Sequence, residues 1–276
     1  MAEEPPYIRL ENVTFEYDRS VSVIDGFSAS LAQSSTTLLT GANGAGKTTL
    51  LKLLVGLLKP GRGTIVVAGQ AAHTIPLHEM AARIAVSLQK AEYQMFLATV
   101  QKEIAFGPEN LCRPNSDKLV SDTMSLFSLT QYSGFHPYDI HPSRRKLLSL
   151  ASAVAMDTPF LIFDEPTSGL SKPEKAILSS VLVTLREQGK GYILITHDLA
   201  FGVPQCERMM VLGKGKCIAD ESIASMLERG DAEAIMRKAS TRIPTASRLS
   251  RLFGHHPVAK TTNEFVSFLK EQTHDH

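Results

Sequence analysis

The chain has 276 residues, 43% of them hydrophobic, enough for one large domain with a buried core and a small appendage, so disorder is not the default reading. Lysine plus arginine, 29, nearly balance aspartate plus glutamate, 28, and the formal charge of +1 argues against a dedicated nucleic-acid surface, which needs a marked basic excess. Three cysteines, Cys112, Cys206 and Cys217, without C-x-x-C spacing, suit a reducing cytoplasm; each reads as a small buried apolar side chain rather than part of a zinc knuckle or disulfide framework.

The opening Met1-Ala2-Glu3-Glu4-Pro5-Pro6 is acidic and proline-rich where an export signal would be basic and then apolar. The longest apolar stretch, near 50–58, is interrupted by Lys52 and falls short of the roughly 18 residues that cross a bilayer, so any membrane role is peripheral. Ile8, Leu10, Phe15 and Tyr17 roughly alternate with polar neighbours and 27–31 repeats the habit, which predicts two half-buried antiparallel strands. Residues 36–40 predict a short strand entering a glycine-rich turn, and 47–54 have helical composition. A mainly helical stretch follows, about 75–157. Apolar runs at 160–163 and 192–195, with helical patterns at 144–157 and 173–187, predict right-handed crossovers in a parallel sheet. Strands at 209–212 and 216–219, turned by Gly213-Lys214-Gly215, close the main domain. After Gly230 the character shifts. Arg237, Lys238, Arg242, Arg248 and Arg251 occur with no acidic residue between Ala234 and Asn263, either as a solvated helix face or as a docking face on a small helical tail.

The strongest chemical signal is Gly41-Ala42-Asn43-Gly44-Ala45-Gly46-Lys47-Thr48, which satisfies G-x-x-x-x-G-K-[ST] between a strand and a helix. Glycines let backbone amides face an anion closely, and the starting helix adds the positive end of its dipole. Lys47 neutralises β- and γ-phosphate oxygens, and Thr48 offers a hydroxyl to Mg²⁺. A second signal is Phe160-Leu161-Ile162-Phe163-Asp164-Glu165, where paired carboxylates end a buried strand at the edge where parallel sheets bind ligands. Asp164 is placed near the metal, and Glu165 as the general base for the attacking water.

Both motifs suit any P-loop NTPase, but the chain resembles one family in particular, the ABC ATPases. The resemblance rests on Gln89 after a β-like run, on Asp164-Glu165-Pro166-Thr167-Ser168-Gly169-Leu170, and on Thr196-His197-Asp198, similar to that family's Q-loop, extended Walker B with D-loop, and H-loop. It implies an α/β fold: a RecA-like parallel-sheet core, an antiparallel β subdomain and a helical subdomain (about 75–157) within 1–230, then a small C-terminal helical domain at 231–276. It also implies ATP and Mg²⁺ as cofactors. ATP would be held by Tyr17, stacked on adenine, by Gly41, Ala42, Asn43, Gly44, Ala45, Gly46, Lys47, Thr48 and Thr49, and by Gln89. The metal would be held by Thr48, Gln89 and Asp164, and catalysis carried by Glu165, His197 and Lys47. Taken singly, Tyr17 is more often a core residue, Gln89 a surface amide and His197 a structural residue; order and spacing make them a set. The stretches Gln94-Met95-Phe96, Ile104-Ala105-Phe106-Gly107-Pro108-Glu109-Asn110, 243–249 and 261–265 look like the energy-coupling-factor ATPases. That likeness implies a peripheral subunit on the cytoplasmic face of the membrane, energising uptake of a vitamin or metal ion with a second ATPase, a transmembrane coupling subunit and a separate substrate-binding membrane protein. Two other readings stay open: a soluble ABC ATPase of DNA repair or translation, or a regulatory ATP-binding subunit with weak hydrolysis.

The resemblance breaks at two places. The family signature LSGGQ falls on Ile140-His141-Pro142-Ser143-Arg144, where Pro142 has no N–H to give, while Ser143, Arg144 and Arg145 are candidates to replace the lost donors in part. Proline is nonetheless welcome at a helix start, so the following helix is expected to form. Ser171 stands where the family usually has Asp. A partner carrying an intact signature is therefore expected, making the ATPase a heterodimer.

Overall fold

The computed structural model describes residues 5–17 and 21–274, so the acidic opening at 1–4 lies outside the described residues. The alternating residues pair as antiparallel strands, β1 (Ile8–Glu16) against β2 (Ser22–Leu31), with Ile8 opposite Leu31. A bulge at Asn12, whose φ is 49°, resets the alternation. Ile8 and Leu10 and then Val13 point inward, while Phe15 is only half-buried. Next come β3 (Thr36–Gly41), α1 (Lys47–Leu54), β4 (Arg62–Val67) and β5 (Gln70–Ala71). Strands β4 and β5 join the first two in a sheet of order β2-β1-β4-β5.

The chain continues through α2 (Leu77–Arg83), β6 (Ile84–Ser87), α3 (Val100–Asn110), α4 (Ser116–Leu126) and α5 (Pro142–Ala155). Then come β7 (Phe160–Asp164), α6 (Lys172–Glu187), β8 (Gly191–Ile195), α7 (Leu199–Gln205), β9 (Arg208–Gly213) and β10 (Lys216–Ser222). A second sheet has the order β10-β9-β3-β8-β7-β6, parallel throughout except for β10. Strands β7 and β8 are buried at every position, because both faces of this sheet are covered and alternation has no use there. Ile162, Ile193, Ile195 and Leu212 pack on one face with α1 and the antiparallel sheet; Leu161, Phe163 and Leu194 pack on the other with the helices.

The stretch 75–157 holds α2 to α5 and, at the β-like run before Gln89, the four-residue edge strand β6 beside β7. One expectation is corrected: the tail does not stand apart from Asp231 onward. Helix α8 (Ile223–Glu228) is followed by α9 (Ala232–Lys238), whose Ala232, Ile235 and Met236 join the main core. Only α10 (Thr245–Leu252) and α11 (Thr262–His274) share a small cluster of their own, Ala246, Ala259 and Phe265. The basic run is partly neutralised, since Arg237 and Arg248 both pair with Glu233. Cys206 is buried and burial pushes its thiol pKa up, and Cys217 is half-buried with its thiol pushed up to about 11, but Cys112 is exposed, against expectation. Among the described residues no helix is long and apolar enough to cross a membrane.

Candidate functional site

Strands β3, β7 and β8 are neighbours, so their C-terminal ends bring Gly41, Asp164 and Ile195 to one edge, Asp164 registering directly with Ile195. The glycine loop leaves β3 there. Gly41 has φ 155° and a Cβ on it would sit 2.2 Å from the Leu212 carbonyl oxygen; Gly46 has φ 105° and a Cβ would sit 2.7 Å from that of Val23. Glycine at these two positions is thus a steric requirement of the loop. Among the described residues, the amides of Gly44, Gly46, Lys47, Thr48 and Thr49 donate to no protein acceptor, leaving a nest of N–H groups at the start of α1. Lys47 Nζ donates to the carbonyls of Gly41 (2.7 Å) and Ala42 (2.9 Å), which holds its ammonium over the loop. Burial lowers its pKa, and Glu165 and Asp164 push it back up.

Burial raises the pKa of Asp164, and the Glu165 charge raises it further, against the opposing pull of Lys146 and Lys47. Glu165 follows at φ 46°, a left-handed backbone unusual for this residue type and fixed by its amide donating to the Ile195 carbonyl (2.8 Å). Both of its carboxylate oxygens are engaged. Thr196 Oγ1 donates to Oε2 at 3.1 Å, and His197 Nδ1 lies 2.9 Å from Oε1, while the imidazole itself is 75% exposed. The carboxylate is aimed by groups from the end of β8, and the histidine faces solvent.

A cavity of about 220 Å³ is lined by Asn43, Gly44, Gly46, Lys47, Thr48, Thr49, Gln89, Asp164 and Glu165, with Val23 added from β2. Residues predicted from three separate sequence segments thus meet around one space. Tyr17, His197, Gly41, Ala42 and Ala45 do not line it. Tyr17 stands beside it, exposed, its hydroxyl 3.3 Å from Thr49 Oγ1 and its ring edge-on to Phe15 at 5.0 Å. Gly41 and Ala42 act through Lys47. Gln89 is exposed, beyond the end of β6.

Sequence reasoning missed two buried charges near this site. Lys146 on α5 reaches the carbonyls of Leu88 and Gln89, and Glu103 on α3 accepts from the Phe96 and Leu97 amides. The only signal for Lys146 was its place as the last of three basic residues, Arg144-Arg145-Lys146, directly before an apolar run. Glu103 sits beside a groove of about 430 Å³ that takes in Val86, Gln94, Phe96, Phe106 and Met156, with the two phenylalanine rings edge to face at 4.9 Å.

Residues 140–144, where the signature was expected, lead into α5, whose first residue is Pro142, as proline's fixed φ permits. The amides of Arg144 and Arg145 both donate to the His141 carbonyl, at 2.8 and 3.0 Å. Ser143 Oγ donates to Glu174 Oε1, and His141 Nδ1 lies 2.8 Å from that hydroxyl and 3.3 Å from the Ser143 amide. Glu174 Oε2 accepts from the amide (2.9 Å) and hydroxyl (2.8 Å) of Ser171. Burial alone would raise the Glu174 pKa, but these hydrogen bonds and nearby Arg144 together bring it below the ordinary value. Of the three candidates to replace the lost donors in part, Ser143 is engaged by Glu174; Arg144, 3.6 Å from the same carboxylate, lies over the Tyr132 ring and Arg145 over Tyr138, and Arg144 Nη1 and Arg145 Nε have no hydrogen-bond partner among the described residues.

A glycine-rich amide nest, a strand ending in two carboxylates and a histidine on the next strand define a nucleotide triphosphatase. Comparison with known proteins says which kind: the ABC transporter family model matches residues 24–168, more than half of the chain, and the chain belongs to that family as an ABC ATPase. Within it the chain stands with the energy-coupling-factor and cobalt-type ATPases. The cobalt import ATP-binding protein CbiO of Syntrophus aciditrophicus is 30% identical over 246 residues, spanning 88% of this chain and 86% of that one. The energy-coupling factor transporter ATP-binding protein EcfA2 of Methanospirillum hungatei is 29% identical, over 89% of this chain and 62% of its own length. The chain spans 44% of a putative ABC transporter ATP-binding protein of Methanosarcina acetivorans, at 28% identity. In fold it matches cbiO1 from Clostridium perfringens, part of the complex cbiONQ, with a TM-score of 0.74 over 91% of this chain and 100% of that one, at 23% identity.

Proposed function

We propose that this chain is the ATP-hydrolysing subunit of a membrane importer of the energy-coupling-factor or cobalt type, working at the cytoplasmic face as one half of a heterodimeric ATPase. The observation that carries the chemistry is the single cavity shared by the amide nest, Lys47, Asp164, Glu165 and Gln89. The nest and Lys47 bind the phosphates of ATP. Glu165, oriented by Thr196 and His197, takes a proton from the attacking water. Tyr17 stands where it can stack on a base, and exposed His197 is free to meet the terminal phosphate.

Mg²⁺ fits the donors present. Thr48, Gln89 and Asp164 offer oxygens to one cavity, and among the described residues no cluster of three or more His, Cys, Asp or Glu side chains forms an all-protein cage. That pattern suits an ion shared with phosphates, and the charge it supplies offsets that of the polyphosphate. The groove of Phe96 and Phe106 beside the Gln89 loop suits a helix of the transmembrane coupling subunit.

The start of α5 supports the heterodimer reading. The amides of residues 143–145 and the Ser143 hydroxyl are engaged within the chain and an ionised Glu174 lies beneath them, so a terminal phosphate brought by another subunit finds few free backbone N–H groups and a repelling charge, with Arg144 Nη1 and Arg145 Nε left as the unpartnered side-chain donors among the described residues. A partner with an intact signature would complete the site built on Lys47. The test is ATP turnover of the purified chain alone against the chain co-purified with its partner ATPase. The pair is expected to turn over faster by about tenfold or more, the effect of a lost charge-assisted phosphate contact; equal rates would remove the heterodimer.

A further inference from the structure

We infer that Lys146 is a positioning residue for ATP hydrolysis: it ties the Gln89 loop and the end of β7 to the helix that begins at Pro142. Lys146 lies one turn into α5 and is 4% exposed, where a lysine is rarely found unless paired. An ammonium has three donors and accepts nothing. Here it meets the carbonyl oxygens of Leu88 (2.9 Å) and Gln89 (3.0 Å), with that of Asp164 more distant at 3.5 Å. The first two oxygens lie just past the end of β6 and the third on the last residue of its parallel neighbour β7. Asp164 thus faces the nucleotide cavity with its carboxylate and Lys146 with its carbonyl.

The next turn of α5 repeats the attachment with neutral groups. Ser149 Oγ donates to Gln94 Oε1 (2.7 Å), which also accepts from the Leu88 amide (3.0 Å), and Gln94 Nε2 donates to the Val86 carbonyl (3.1 Å). Neutral groups would suffice to fasten the loop. A buried charge is costly to place, so its use on the Gln89 carbonyl points to a demand for exact placement of that residue and for positive potential behind Asp164. Because α5 begins at the altered signature, displacement of its first turn moves Lys146 and, with it, the Gln89 backbone. This gives the chain's own nucleotide site a mechanical link to the face it offers a second ATPase, and the inference rests on the ATPase reading above.

The experiment uses the full chain in its ATPase complex. K146M keeps the length and removes the charge; K146R keeps the charge. Expected for K146M is a fall in kcat of about tenfold or more, with KM and the affinity for the non-hydrolysable analogue adenylyl imidodiphosphate with Mg²⁺ within about threefold of the parent, and K146R recovering much of the loss. If kcat stays within about twofold, if analogue binding falls in step with kcat, or if K146R is no better than K146M, the inference is wrong. Should K146M fail to fold, K146Q, which keeps two N–H donors, is read by the same criteria. A parent complex without ATPase activity would sink the ATPase reading instead, before any variant is made.

Discussion

Two helices of this protein start at places where the family binds phosphate, and they start in opposite ways. Helix α1 opens on glycines that leave five successive or near-successive amides without an acceptor among the described residues, beneath the ammonium of Lys47. Helix α5 opens on a proline, turns the Ser143 amide to the His141 ring and the Arg144 and Arg145 amides to the His141 carbonyl, and sets Glu174 beneath Ser143. Both are regular helices with the same dipole, so the dipole alone does not make an anion site. What differs is whether the donors are free and which charge lies behind them.

The sharpest way to break the comparison is at the intact end. Glu165→Gln keeps the shape of the site and the hydrogen bond from Thr196 while removing the proposed base, so turnover of the complex should fall about 10²- to 10⁴-fold with ATP binding retained. Unchanged turnover, measured by phosphate release, would assign the proton transfer elsewhere. At the other end, a P142G/E174Q double variant frees an amide position and removes the opposing charge. Turnover of the chain alone at high concentration should rise about tenfold, and no rise would show that committed donors are not what limits it.

The smallest effect concerns acid stability. The Glu174 carboxyl is held below its ordinary value of 4.5, so the folded state gains from its ionisation above that pH and loses the gain as pH falls through the lowered value. Thermal melts from about pH 6 to about pH 3 should therefore decline more steeply for the parent than for E174Q. Parallel curves would mean that Glu174 is not held ionised by Ser143, Ser171 and Arg144.

Local requirements were legible in the sequence and distant ones were not. The glycine loop could be read because Gly41 and Gly46 answer to their own backbone angles and close neighbours, and β7 and β8 because burial on both faces leaves continuous apolar runs. Strand β6 was legible only as a β-like run before Gln89, its four residues being too few to fix its place in the sheet. Lys146 escaped notice because its partners are backbone carbonyls 58 and 57 residues away, and any residue type supplies a carbonyl. The fate of Ser143 was equally hidden, since Glu174 approaches it from 31 residues further on.

The tail carries a last consequence. Because Ala232, Ile235 and Met236 are seated among the helices of the main core, a protease cut after Gly230 would not release a clean module; it would strip a wall from the larger body and bare an oily scar beside α8. The smaller cluster of α10 and α11 begins later, near Pro244, and it too is tied to the main core through Val258 and through Arg248 on Glu233.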